Sequence, residues 1–349
     1  MKSKHASILG FLSFTIIVLA LALNACNAPK QTNIPSSATP SPTISSSAIS
    51  SSATPSPTIS SSATPSSTTP FDGYGLYESC SLKNAALCLS HLNDMAAAGF
   101  KLVINYDELY GDASFQTAYL DRAQSVGMKV IVALSNPAFY DGTDVPSHFP
   151  ALAQTCNCTD NHGFIRYVVN LVKNHPAVWG YYIGDEVDPS DHGAMKSALA
   201  DVVHQLDPTH PRLFIDTGGH TIAAWHGNSP FSDTAEVIGS DFYPVGHEHD
   251  SYYPTIDQTA AVAGGIQAYA DAHGEDSAIV LQAFSYSDYG TPGAPYPTAS
   301  QMESMLSQTL AHSHPRIILW YSYYDTLASD NPTQHWNDLK AIIARNMPK

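Results

Sequence analysis

From Phe71 onward the chain alternates between short, almost wholly apolar runs and segments whose apolar residues recur at helical spacing. The runs are Gly73–Glu78, Lys101–Asp107, Lys129–Leu134, Val178–Ile183, Arg212–Ile215, Ala235–Tyr243, Ala278–Phe284 and Ile317–Tyr323. Helix-period segments follow at Asn84–Ala98, Phe115–Val126, Gly163–Lys173, His192–Leu206, Gln258–His273, Ser300–His312 and Thr333–Arg345. A short, poorly defined segment follows the fifth run, which makes eight strand–helix pairs. Runs such as LVINY, VIVAL and IILWY carry no polar face, as expected of parallel strands buried on both sides. Gly127, Asp207-Pro208, Gly274 and His314-Pro315 mark the turns back from helix to strand.

Eight parallel βα units in about 280 residues predict a single (β/α)8 TIM barrel over 71–349. The competing doubly wound sheet needs a glycine-rich phosphate loop after its first strand, and Gly73-Tyr74-Gly75 does not supply one. There is no P-loop, GxSxG or HExxH motif.

A barrel places its chemistry at the C-terminal strand ends. Those ends carry Glu78, Asp107 and Glu108, Asn136, Asp185 and Glu186, Asp216, Asp241 and Tyr243, Gln282, and Trp320 with Asp325. Acids, amides and aromatics with almost no Lys or Arg suit a neutral, polyhydroxylated ligand. Phosphate or carboxylate substrates would call for Arg. The adjacent acids Asp185 and Glu186 repel one another, which raises one pKa toward that of a general acid. A helix N-cap is the competing reading of the same segment, since Asp188-Pro189 and Asp191 follow.

Charge excludes other partners. Thirty-one acids face 15 bases across 349 residues, and Lys2, Lys4 and Lys30 are the only bases before Phe71. The remainder therefore has 12 bases, a net charge of −19, and no footprint for nucleic acid. Lys2 and Lys4, an apolar stretch from Ile8 to Leu23, and Leu23-Asn24-Ala25-Cys26 read as a signal peptide over 1–25. The last four residues are similar to a bacterial lipobox, which implies lipidation of Cys26 and a lipid-anchored, extracellular protein on a bacterial cell surface. Residues 26–70 are a Ser/Thr/Pro-rich linker in which SSATPSPTISSSA is repeated, expected to be disordered. Cys80, Cys88, Cys156 and Cys158 allow two structural bridges with three possible pairings.

Gly-Tyr-Tyr-Ile-Gly-Asp-Glu, closing the fourth strand, resembles the clan-A glycoside hydrolases, whose fourth strand ends in Asn-Glu with the Glu as acid/base. Glu186 matches that Glu, and Asp185 replaces the Asn. Ser240-Asp241-Phe242-Tyr243-Pro244 is similar to the family's sixth-strand tyrosine segment, and Trp320 to its eighth-strand sugar-floor tryptophan. The resemblance implies a glycosidase acting on a poly- or oligosaccharide, with Glu186 as acid/base and Asp185 orienting substrate or tuning it. Tyr182, Tyr243, Gln282, Trp320, Asp216, Asn136 and Asp107 then become candidate substrate contacts.

The seventh strand departs from the pattern: Gln282 stands where the family has its nucleophilic Glu. Three readings stay open. Asp241, or next Asp216, supplies the second carboxylate. Alternatively the substrate supplies the nucleophile, since Gly184-Asp185-Glu186-Val187 also resembles the Gly-Asp-Glu-Val string of β-N-acetylhexosaminidases. Or the barrel only binds glycan. His247-Glu248-His249-Asp250 has metal-ligand spacing but reads as a solvated loop, so neither metal nor cofactor is expected. Tyr286, Tyr289 and Tyr296 form a candidate sugar-stacking wall or a cover over the barrel mouth.

Overall fold

The computed structural model describes residues 70–80, 84–218, 233–246 and 255–347. The signal peptide, the linker, Cys26 and the His247–Asp250 cluster lie outside the described residues. Eight parallel strands close a barrel in sequence order: β1 Gly73–Glu78, β2 Leu102–Asn105, β3 Lys129–Ala133, β4 Val178–Asp185, β5 Arg212–Thr217, β6 Val237–Phe242, β7 Asp276–Gln282 and β8 Ile317–Tyr321. β8 returns to β1 with Gly75 opposite Leu319, which leaves no open edge. The expected (β/α)8 fold is the observed one.

Strand parity sorts the side chains into two cores. Leu102, Ile104, Ile131, Leu213, Ile215, Val237, Val280, Ile317 and Leu319 pack inside the barrel. Ile183, Phe214, Ile238, Leu281, Ile318 and Trp320 belong to a second core shared with the helices. The interior is tight: a Cβ on Gly239 would stand 2.2 Å from Ile215 Cδ1, so only glycine fits two residues below Asp241. Helix starts are fixed locally. Asp112 caps the helix Ala113–Ser125 through Phe115 N, and Thr298 with Gln301 forms a capping box on Ala299–His312. Disulfides join Cys80 to Cys88 and Cys156 to Cys158, both near neighbours in sequence.

Candidate active site

β4 delivers the central carboxylates. Its pairing with β5 slips between Tyr182 and Gly184, and the ladder then continues one residue past the strand through a Glu186 N–H to Ile215 O bond of 2.9 Å. Glu186 itself holds φ at 46°, a left-handed conformation rare outside glycine. Such a backbone costs about 1–3 kcal/mol and persists where surrounding structure imposes it, typically at functional sites. Consecutive residues thereby aim into one cavity.

That cavity, of about 300 Å³, opens at the C-terminal end of the barrel. Asp185, Glu186 and Asp241 line it, together with Tyr77, Tyr106, Tyr243, Phe284, Tyr286, Tyr289 and Tyr321. Asp241 is 5% exposed and stands in hydrogen-bonding contact with Glu186. Burial, then the charges of Glu186, Asp185 and Asp216, holds its carboxyl far above the ordinary range. Asp241 therefore keeps its proton at neutral pH. Asp185 accepts a 2.7 Å bond from the Tyr106 hydroxyl. Burial and the nearby Glu186 push its pKa up to about 6, against the opposing pull of the Tyr182 and Tyr106 hydroxyls. The Tyr106 phenol is raised well above its ordinary value by burial and by Asp185, so it stays a proton donor.

An adjoining pocket of about 350 Å³ shares Tyr106 and Asp185 with the first and adds Asp107, Tyr110, Ser135, Asn136, Pro137 and Phe149. Two expected contact residues, Asp107 and Asn136, stand there. Asp107 takes the Ser79 hydroxyl at 2.7 Å, and Asn136 Oδ1 takes Ala138 N–H at 2.9 Å.

Four other expected contacts stand behind the cavity wall. Gln282 is 0% exposed, and its amide is consumed by the backbone: Val245 N–H donates to Oε1 at 2.8 Å, while Nε2 donates to Val245 O and Phe284 O. It pins the end of β6 to the end of β7 and touches no ligand space. Trp320 is 0% exposed within the helix-side core, because its parity is that of Ile318. Tyr321, one residue on, faces the cavity in its place. Asp216 is 1% exposed, on the Phe214 side of β5, and Tyr182 is a fully buried floor residue beneath Asp185. Tyr286 and Tyr289 do line the cavity, whereas Tyr296 stacks on His335 at 3.8 Å and bonds Thr326. Tyr77, Phe284 and Tyr321 were not singled out from sequence. Extending the strand parity of Val237, Gly239 and Asp241 to β1 and β8 is the signal that finds Tyr77 and Tyr321.

Fold and cavity together define a (β/α)8 barrel with a carboxylate pair in contact at its mouth. No family model and no curated protein matches the sequence. Solved structures do match in fold. A β-mannanase from the blue mussel Mytilus edulis is 11% identical at a TM-score of 0.51, over 79% of this chain and 92% of that one. An endoglucanase of Pseudomonas stutzeri, in complex with cellobiose, is 14% identical at 0.51, over 80% and 94%. A glycoside hydrolase family 5 protein from Bacteroides vulgatus is 11% identical at 0.53, over 78% of this chain and 64% of that one. The shared property is the barrel fold.

Proposed function

We propose that the protein is a glycoside hydrolase acting on an oligo- or polysaccharide, with Glu186 and Asp241 as its reacting carboxyls. The observation that carries this is their contact inside an aromatic cavity at the strand ends. The chemistry we propose for the pair is double displacement with net retention, which places its carboxyls about 5–5.5 Å apart around bound sugar. Sugar entering the cavity parts the two groups. The proton held on Asp241 passes to Glu186, which gives it to the leaving glycosidic oxygen as the ionised Asp241 attacks the anomeric carbon. Glu186 then takes a proton from water as that water releases the sugar from Asp241. Tyrosine faces stack on the apolar faces of the ring, and Tyr106 holds Asp185 against the substrate.

Asp241 thus replaces the missing seventh-strand Glu, and the substrate-assisted scheme becomes unnecessary. The test is hydrolysis of a panel of aryl glycosides and polysaccharides by the wild type and Glu186→Gln. The variant is expected to lose about 10²–10⁴-fold. Equal turnover by both proteins would remove Glu186 from the mechanism. We further propose that the barrel is displayed outside the cell on a lipidated Cys26 and an extended linker, a reading supported by the sequence alone.

A further inference from the structure

Among the described residues, no Lys, Arg or His lines the cavity that holds Asp185, Glu186 and Asp241. The sequence extends this observation: no Lys or Arg occurs anywhere between Arg212 and Arg316, a stretch that supplies the C-terminal ends of β5, β6 and β7 and every loop following them. Bases gather at the opposite face. Lys101 precedes β2, Lys129 and Arg212 open β3 and β5, and Arg316 precedes β8. Two of them are already neutralised there: Arg212 by Glu236 at 2.7 Å, and Arg316 by Asp72 and Asp276 at 2.7 and 3.2 Å. Among the described residues, the charged groups lining the cavity are therefore acids alone.

Neutral sugars need hydrogen-bond donors and acceptors in balance. The charged groups of this cavity are all acids, and carboxylates desolvated without a counter-charge are costly to keep. The aromatic wall has a matching bias. Tyr77, Tyr106, Tyr243 and Tyr321 surround the acids, with ring centroids 5.2 Å apart for Tyr77–Tyr321 and 5.9 Å for Tyr243–Tyr321. Their faces carry negative charge density, which attracts a cation enclosed among them.

We propose that the sugar held in this cavity carries a protonated amine, so that the substrate is a glycan of free-amine hexosamine units. The proposal rests on the glycosidase reading and narrows its substrate. The ammonium group lies against Asp185, where the tyrosines and Glu186 complete its surroundings, and the acidic mouth steers a cationic chain toward the site. Asp185 and Asp241 hold protons more tightly than ordinary carboxyls, as acids buried beside other acids do. The near-absence of bases, which in the sequence suits a neutral ligand, here acquires a sign.

Three trisaccharides of one β-1,4 skeleton separate the possibilities: the glucosamine trimer, its N-acetylated form and cellotriose. They differ only in bearing an ammonium, an acetamido or a hydroxyl group. Binding to Glu186→Gln is measured by calorimetry at about pH 6, where an amine of ordinary basicity is protonated, and turnover by the wild type under the same conditions. The glucosamine trimer is expected to bind about tenfold or more tightly than either neutral trimer. Its advantage shrinks in high salt, and Asp185→Asn reduces the ratio between cationic and neutral trimers. Equal binding, no binding, or preference for a neutral trimer overturns the proposal. Preferential binding without turnover of any trimer upholds the cation site while removing the glycosidase reading. Turnover of cellotriose in preference does the reverse.

Discussion

Glu108 shows how much a single buried acid costs this fold. It is 0% exposed at the start of the turn after β2, and neither side-chain oxygen has a partner. Burial alone pushes its pKa up to about 8 from the ordinary 4.5. Below about pH 4.5 the folded and unfolded chains both hold this proton, and nothing is lost. Between about 4.5 and 8 only the folded chain keeps it, so stability falls as pH rises and the loss is complete above about 8. Glu108→Gln is expected to stabilise the protein by about 2 kcal/mol or more at alkaline pH and by almost nothing near pH 4. Thermal unfolding followed against pH checks this. Asp185 sets a second pH signature. Its pKa of about 6 places the acidic limb of kcat/KM there, because the ionised form is the one that binds. Asp185→Asn should remove that limb while leaving the alkaline limb, which reports proton loss from Asp241.

Elements rather than residues decide which candidates reach the cavity. In β8, Trp320 and Tyr321 are both large aromatics, and hydrophobicity alone does not choose between them. The barrel chooses by parity: Ile317, Leu319 and Tyr321 face in, while Ile318 and Trp320 face the helices. The eight runs and their order were legible because parallel strands buried on both faces read as unbroken apolar stretches. That same lack of alternation hid which side faced the cavity. On β6 the glycine at 239 gives the phase, since a Cβ there would stand 2.2 Å from Ile215 of the barrel interior, and that phase carries Asp241 inward. Gln282 departs from expectation for another reason: two of its three backbone bonds reach Val245, 37 residues away, and no local pattern announces them. Gln282→Ala would strand Val245 N–H and two carbonyls. It is expected to lower stability by about 2–4 kcal/mol, read from denaturant unfolding. Gln282→Glu should not raise glycosidase activity, because that position touches no ligand space.

For the molecule as a whole, the alternation of elements determined the barrel, and the barrel determined the face on which to look. Which acids pair at that face depended on tertiary contact between β4 and β6. Glu186 and Asp241 belong to strands separated by β5, and sequence could rank Asp241 only against Asp216. The proposed lipid anchor is tested separately. Cys26→Ser should release the barrel from the membrane fraction into the medium with its turnover intact, measured by fractionation and assay. The account stands or falls on Asp241 as nucleophile. The most direct measurement is glycosidase activity of Asp241→Gly with and without azide. The account predicts a loss of about a thousandfold or more, restored in part by azide, with a glycosyl azide of inverted anomeric configuration as product. Undiminished activity in this variant, or azide without effect and without a glycosyl azide, would contradict it.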